Sequence, residues 1–384
     1  MVLAVRRGSS LRQTALRFGV SLATVQFWVA RAKDLRLDRV DFADRPLGAC
    51  RPANRVPRKI EQQVLAIRRQ LKDQSTLGEH GALAIRQALL ARRIKHCPSL
   101  RTIGRILLRQ GVLDGRRRVR RPPPAKGWFL PEVAAGRAEI DSLDTVTDLV
   151  IKGGTQVTVL NCISLHGGLA QSWPQGKITA KIVVRLLLAH WQRFGLPAYA
   201  KFDNDLIFQG AHQWPDSFGR VIRLCLQLGV TPVFAPPREQ GFQAEIEAFN
   251  GRWQRLVWRR HHHRNLAQLQ QRSEHFTAAL LARSAARIEA APARRAMPEG
   301  FAFHPDLPLA GCVIYLRRTD QDGLVNCLGH RWKADRHWVH RLTRVEVDLS
   351  AGKARIYALR RKEPAAQPLL HTQAYNVPRK KFIE

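Results

Sequence analysis

The stretch Ala198-Tyr-Ala-Lys-Phe-Asp-Asn-Asp205 is a short apolar run that stops abruptly in three polar residues, two of them acidic. Ala198 to Phe202 suits a brief buried strand, and the acids at its end stand where a strand of an α/β fold meets its loop. Before it, Thr179 to Phe194 has helical periodicity, capped by Thr179 and stopped by Gly195 and Pro197. Farther upstream, Ala138-Glu-Ile-Asp141, Gln156-Val-Thr-Val-Leu-Asn-Cys-Ile163 after a Lys152-Gly-Gly turn, and Gly168-Leu-Ala-Gln-Ser-Trp173 read as three consecutive strands. Downstream come a helix over about Ser217 to Leu228, the strand Thr231-Pro-Val-Phe234, and a long helix from about Gln243. The first strand is expected to end near Asp141, which leaves Asp144 and Asp148 in the following turn.

Three strands, helix, strand, helix, strand, helix is the order of an RNase H-like α/β core, here over residues 126–290. One Asp in the first strand, one at the end of the fourth and one Glu on a later helix then come from three separate elements. Asp141, Asp203 and Glu247 stand at those places. Carboxylates so arranged can hold two divalent metals about 4 Å apart for an in-line displacement at phosphorus. Glu245 competes with Glu247, but the two lie about 200° apart on a helix, so only one can face the aspartates. Glu245 shares its flank with Arg252 and Arg259, where a solvated ion pair is the simpler role. Glu247 shares its flank with Asn250, Gly251 and Gln254, which leave room for metal and phosphate. His166 reads as a surface histidine, and His261-His-His263 as part of a basic surface rather than a metal site.

The flanks of this core differ from it in charge. Lys and Arg number 64 against 30 Asp and Glu, a net charge of +34. Residues 1–125 carry net +20 and residues 251–384 net +14, while residues 126–250 are balanced at 11 of each sign. Two basic flanks around a core that keeps its carboxylates point to a polyanion, and to double-stranded DNA before a membrane surface. No run approaches the roughly 20 apolar residues of a membrane span. The six cysteines stand singly without zinc-finger spacing, as expected of a cytosolic chain.

Residues 1–46 read as a helix-turn-helix: Leu11 to Phe18, a turn at Gly19, and a second helix from Leu22 capped by Ser21. Val25 and Trp28 would face inward, leaving Thr24, Gln26, Phe27 and Arg31 among those for the groove of DNA. Residues 51–121 form a second helical unit ending in an arginine run, in which Arg116, Arg117, Arg118, Arg120 and Arg121 would lie on phosphates. Short strands with Gly and Asp turns over residues 297–365 suggest a small β-barrel, and residues 366–384 a basic tail.

In this order the motifs resemble those of insertion-sequence transposases with a retroviral-integrase-type catalytic core, the DDE enzymes. The resemblance rests on Gly19-Val-Ser, Pro98-Ser-Leu-Arg-Thr-Ile103, Lys201-Phe-Asp-Asn204 and Glu247-Ala-Phe-Asn250 after the loop Pro236-Pro-Arg-Glu-Gln240, and it spans nearly the whole chain. It implies that Asp141, Asp203 and Glu247 bind Mg²⁺ or Mn²⁺, two ions, with Asn204 and Asn250 in support. It further implies binding to terminal inverted repeats and target DNA, strand cleavage and strand transfer, a homo-oligomer on DNA, and a bacterial cytoplasmic, nucleoid-associated protein. The chain departs from the family at Ala138, where Trp is common, at Asp205, where Gly is usual, and at Gln243-Ala244, where Asn-Gly is usual. A copy that no longer cuts would act as a sequence-specific DNA-binding regulator. A nuclease without joining activity is the third reading.

Overall fold

Ser10 and Ser21 each start a helix by accepting a backbone N–H with the side-chain oxygen, from Gln13 and Thr24 respectively. They belong to the first of two compact units, residues 1–60, in a computed structural model that describes residues 1–44, 56–113, 125–211 and 214–378. That unit opens with α1 (Val2–Arg6), α2 (Leu11–Phe18) and α3 (Leu22–Arg31). Gly19 ends α2 with φ +62°, a conformation that a Cβ disfavours, and so turns the chain into α3. Val25 is fully buried, while Trp28 packs on the small cluster of Val2, Ala32 and Val40. The arginine run at 116–121 and the last residues of the basic tail lie outside the described residues.

In the second unit, residues 61–384, most of α4 (Arg58–Gln74), α5 (Ala82–Ala91) and α6 (Leu100–Arg109) precede a short α7 (Pro131–Ala134). The strand series then begins: β1 (Ile140–Ile151), β2 (Thr155–Ser164) and β3 (Ala170–Gln175), joined as an antiparallel meander. Helix α8 (Ala180–Phe194), capped by Thr179, leads to β4 (Tyr199–Phe202), parallel to β1. After α9 (Leu206–Gln209) and α10 (Arg220–Gln227) comes β5 (Thr231–Phe234), parallel to β4. Then follow α11 (Ala244–Trp253), a π-helical turn over Gln254–Trp258, and α12 (Leu266–Glu289). This is the element order expected of an RNase H-like core. Among the described residues no helix is long and apolar enough to cross a membrane.

Two expectations fail here. The first strand does not stop near Asp141: it runs on to Ile151, with a bulge between Val146 and Leu149 where Asp148 takes φ +59°. The run Thr145-Val-Thr-Asp-Leu-Val-Ile151 is β-branched enough to keep the ladder, so Asp144 is mid-strand and not in a turn. Nor do the C-terminal strands make a separate closed barrel. Strand β6 (Cys312–Arg318) pairs in parallel with β5, and β9 (Leu342–Asp348), β10 (Lys353–Ala358) and β11 (Leu369–Ala374) extend the same sheet. The order is β11-β10-β9-β6-β5-β4-β1-β2-β3, nine strands, with β7 (Leu324–Cys327) and β8 (His330–Lys333) as a separate hairpin. Val313, Tyr315, Val345 and Val347 bury their side chains with Phe202 and Phe234, so the added strands share the core's apolar cluster instead of closing around their own.

The sheet's two faces are packed differently. Trp191 and Leu187 of α8 and Val221 and Cys225 of α10 pack with Leu143, Phe202 and Phe234 on one. On the other, Ile246, Phe249 and Trp253 of α11 and Phe276 of α12 pack with Val146, Val157 and Val159. Alternation along each strand therefore decides which helices a side chain meets.

Candidate active site

Parity along β1 separates the two aspartates that the sequence offers. Asp141 and Leu143 point to the α8 face, whereas Ser142 and Asp144 point to the α11 face. Asp141 is fully buried: Arg294 donates to its two oxygens at 2.8 and 2.7 Å, and Trp191 Nε1 donates to Oδ2 at 3.1 Å. Burial alone would raise its carboxyl, but the charge and hydrogen bonds of Arg294, helped by His190, hold it well below the usual carboxylate range. Asp141 thus lies on the opposite face of the sheet from Asp144 and is held by Arg294 and Trp191. Its carboxylate also lies within 4.8 Å of the Cys162 sulfur and a His190 ring nitrogen, a donor set a metal could use. The guanidinium that already spans both carboxylate oxygens would repel a cation, and burial drives the Cys162 thiol away from thiolate. The cluster is an anchor for the chain that follows α12.

Asp144 takes the position that Asp141 was expected to hold. The last paired residues of β1 and β4 are Ser142 and Lys201. Two residues on, Asp144 and Asp203 occupy equivalent places on neighbouring chains, roughly 5 Å apart at the backbone by strand spacing. Asp144 is pushed up to about 6 by burial and then by the negative charge of Asp203, with a lesser contribution from Glu247, against hydrogen bonds from the Thr145 backbone and Asn250. Asp203 is also raised, by burial and by the charge of Asp205, against the hydrogen bond that the Asp205 backbone N–H donates to it. Among the described residues no lysine or arginine forms an ion pair with Asp144, Asp203 or Glu247. Asp205 spends Oδ1 on the Ile207 N–H at 2.9 Å as the cap of α9.

Helix α11 brings the third carboxylate. Glu247 is exposed and sits one turn from Asn250, whose Nδ2 donates to Asp144 at 2.7 Å. Asn161, buried on β2 opposite Asp144, donates in turn to Asn250 Oδ1 at 2.7 Å. Glu245 points elsewhere, to Lys201 Nζ and, at 2.9 Å, the Ser142 hydroxyl. Burial would raise its carboxyl, yet the Lys201 charge and hydrogen bond keep it lowered. It is an ion-pair residue as expected, but half-buried against a fully buried lysine and not solvated beside arginines. Lys201 also donates to the Phe242 carbonyl, tying the start of α11 to β4. Asn204 fixes the chain after Asp203: its Nδ2 donates to Ala235 O at 2.8 Å and its Oδ1 accepts from Arg317 at 2.9 Å.

The histidines set aside as ligands and the expected DNA contacts of α3 lie elsewhere. His166 holds the Val133 carbonyl at 2.9 Å, and His263 is buried against Trp258. On α3, Gln26 and Phe27 are exposed, but Thr24 is engaged with Ser21 at 2.8 Å. Arg31 lies over Trp28 at 5.1 Å and reaches Asp41 at 3.4 Å, with only 9% of its side chain exposed. Sequence reasoning missed Asp144, the Lys201–Glu245 pair and Arg294. The unbroken β-branched run after Asp144 was the available signal for the first.

No family model matches the chain, and no curated protein matches it. Among solved structures, a chain of the simian T-cell lymphotropic virus intasome with PP2A regulatory subunit B56 gamma is 13% identical, over 70% of this chain and 87% of that one, at a TM-score of 0.34. The catalytic core domain of BIV integrase is 18% identical over 37% of this chain and 81% of its own, at 0.26. The HTLV-2 integrase catalytic core domain in complex with magnesium is 13% identical over 34% and 69%, at 0.23. Likeness at such scores decides neither fold detail nor function, and both rest on the chain's own geometry.

Proposed function

We propose that the chain is a DDE-type DNA strand-transfer enzyme, a transposase or integrase, with Asp144, Asp203 and Glu247 as its carboxylates. The observation that carries this reading is the meeting of Asp144 and Asp203 beyond the paired ends of β1 and β4, beside α11, with no lysine or arginine ion-paired to either among the described residues. Oxygen donors from three carboxylates brought to one place suit hard divalent cations such as Mg²⁺ or Mn²⁺. When bound, two such ions activate the attacking hydroxyl and stabilise the leaving oxygen of an in-line displacement. The chain's own part is to hold the donors still. Asn250 fixes one oxygen of Asp144, Asn161 fixes Asn250, and the Lys201–Glu245 pair sets where α11 begins and hence where Glu247 stands. Asn204 supports Asp203 from the next residue.

The basic flanks suit a duplex substrate, and the exposed Gln26 and Phe27 of α3 suit base contacts in a groove. Terminal repeats as the cognate sites, and a homo-oligomer on DNA, are parts of the same reading. The test is cleavage and joining of duplexes taken from the DNA flanking the gene, with Mg²⁺ or Mn²⁺ and with chelator. Metal-dependent nicking and joining by the wild type is expected. Activity that survives exhaustive chelation would refute the reading, and DNA binding without any strand chemistry would point to a regulator.

A further inference from the structure

Loop residues 239–242, which lead into α11, form one wall of a cavity of about 460 Å³, within the roughly 300–1,000 Å³ usual for ligand sites. Its lining is unusual in composition: the guanidinium groups of Arg318, Arg341 and Arg361 beside the indoles of Trp128 and Trp338. Arg318 is committed to structure, pairing with Glu239 and donating to the His340 carbonyl, so it pins the loop to the end of β6. The other two are not. Arg341 stands 4.9 Å from the centroid of Trp338 and Arg361 stands 5.9 Å from that of Trp128. Both are exposed, and among the described residues neither pairs with a carboxylate. Trp338 is itself held, Nε1 donating to the Leu342 carbonyl at 3.0 Å.

A partly exposed indole, that of Trp338, with guanidinium groups that lie over aromatic rings and have no carboxylate partner among the described residues, is what an unpaired base and its phosphate require. A stacked base pair does not enter a cavity of this size, so the nucleotide must be out of the helix. The cavity is also coupled to the candidate chemistry. Its wall residue Phe242 accepts a hydrogen bond at its carbonyl from Lys201, two residues before Asp203 on the same chain segment. We infer that this cavity takes one unpaired nucleotide of the DNA strand engaged by the carboxylates, its base on the partly exposed indole of Trp338 and its phosphate on Arg341 and Arg361. The inference rests on the DNA reading above and adds to it a site for single-stranded character next to the cut.

The full-length chain would be tested with two probes: a fluorescent single-stranded oligonucleotide of about a dozen nucleotides carrying one 2-aminopurine, and a duplex of about twice that length. The variants are R341A/R361A and, as an equal loss of charge from the exposed side of α8, K181A/R185A. Both pairs are surface substitutions, and matching thermal melts establish that each variant is folded. R341A/R361A is expected to weaken single-strand binding about tenfold and to abolish the quenching of 2-aminopurine. Its loss of duplex binding should not exceed that of K181A/R185A. If R341A/R361A loses no more single-strand affinity than K181A/R185A while duplex binding persists, the cavity assignment fails and the DNA reading stands. If the wild type binds neither probe, both fail.

Discussion

Asp141 and Asp144 are three residues apart on one strand and lie in opposite electrostatic settings. Asp141 faces α8, fully buried, with Arg294 across both its oxygens. Asp144 faces α11, half-buried, with an amide and a backbone N–H as partners and two other carboxylates bearing on it. A buried carboxylate whose charge is already matched has nothing left to offer a cation. One that is crowded by its own kind is destabilised until a cation arrives. The difference teaches that, in this strand, parity and not proximity in sequence sorts a structural acid from a candidate ligand.

The comparison breaks most visibly in activity. Asp144→Asn, Asp203→Asn and Glu247→Gln should each lower metal-dependent strand cleavage by more than about 10³-fold, because residues acting as a unit fail together. Duplex binding and the melting temperature should hardly change, since among the described residues none of the three forms an ion pair. Full cleavage by Asp144→Asn would return the first position to another acid and undo the contrast.

The reverse signature is expected on the α8 side. Asp141→Asn leaves the largely buried guanidinium of Arg294 without its counter-charge, a loss of about 3–5 kcal/mol of stability. Joining it to Arg294→Met should recover much of that loss, which a double-mutant cycle by urea unfolding would read. The pH dependence has a definite sign. Asp141's folded value is depressed, so its contribution is full above the unfolded value of about 4 and drains as pH falls below it toward the folded one. The stability gap between wild type and Asp141→Asn should therefore be widest near neutrality and narrow below about pH 4. A gap that widens on acidification would show that Arg294 is not its source.

How much of this was legible follows from what each feature depends on. The order of strands and helices from Ala138 to Trp253 was legible, because alternation, helical periodicity and caps such as Thr179 are local. The 200° offset of Glu245 and Glu247 was legible for the same reason, being a property of one helix. Parity on β1 was not, since it depends on whether the strand outlasts Asp141 and on which helix covers each face. Arg294 lies 153 residues from Asp141, and Lys201 lies 44 from Glu245, and nothing local announces either pair. The C-terminal strands looked self-contained because hairpin turns are local signals, whereas the β5–β6 pairing that adds them to the sheet is not. Arg31's contact with Asp41 was not legible either, because its partner comes from beyond its own helix.

An intermediate effect would sharpen the contrast around Asp144 itself. Asn250→Ala removes the amide that aims its carboxylate and leaves buried Asn161 without its acceptor. Loss of an orienting partner typically costs 10–100-fold in metal affinity or activity, so the expected fall is of that order, and raised Mg²⁺ or Mn²⁺ should restore part of it. Unchanged metal dependence would mean that Asn250 packs the sheet and does no aiming.

The smallest expected effect concerns Glu245, which transfers the comparison from β1 to α11. Like Asp141 it has a buried cationic partner, and like Asp144 it lies on the α11 face, so it tests whether pairing or position matters. Glu245→Gln keeps an oxygen that can accept from Lys201 and from Ser142, and it exchanges an ion pair for a bond from the ammonium to a neutral amide. The loss should be about 1–3 kcal/mol of stability, less than for Asp141→Asn because Glu245 is itself partly solvated and Lys201 keeps the Phe242 carbonyl as a second acceptor. Cleavage by the folded variant should fall less than tenfold, through a looser start to α11 and not through a lost ligand. If Glu245→Gln abolished cleavage while Glu247→Gln did not, position would outweigh pairing, and the third carboxylate would have to be reassigned.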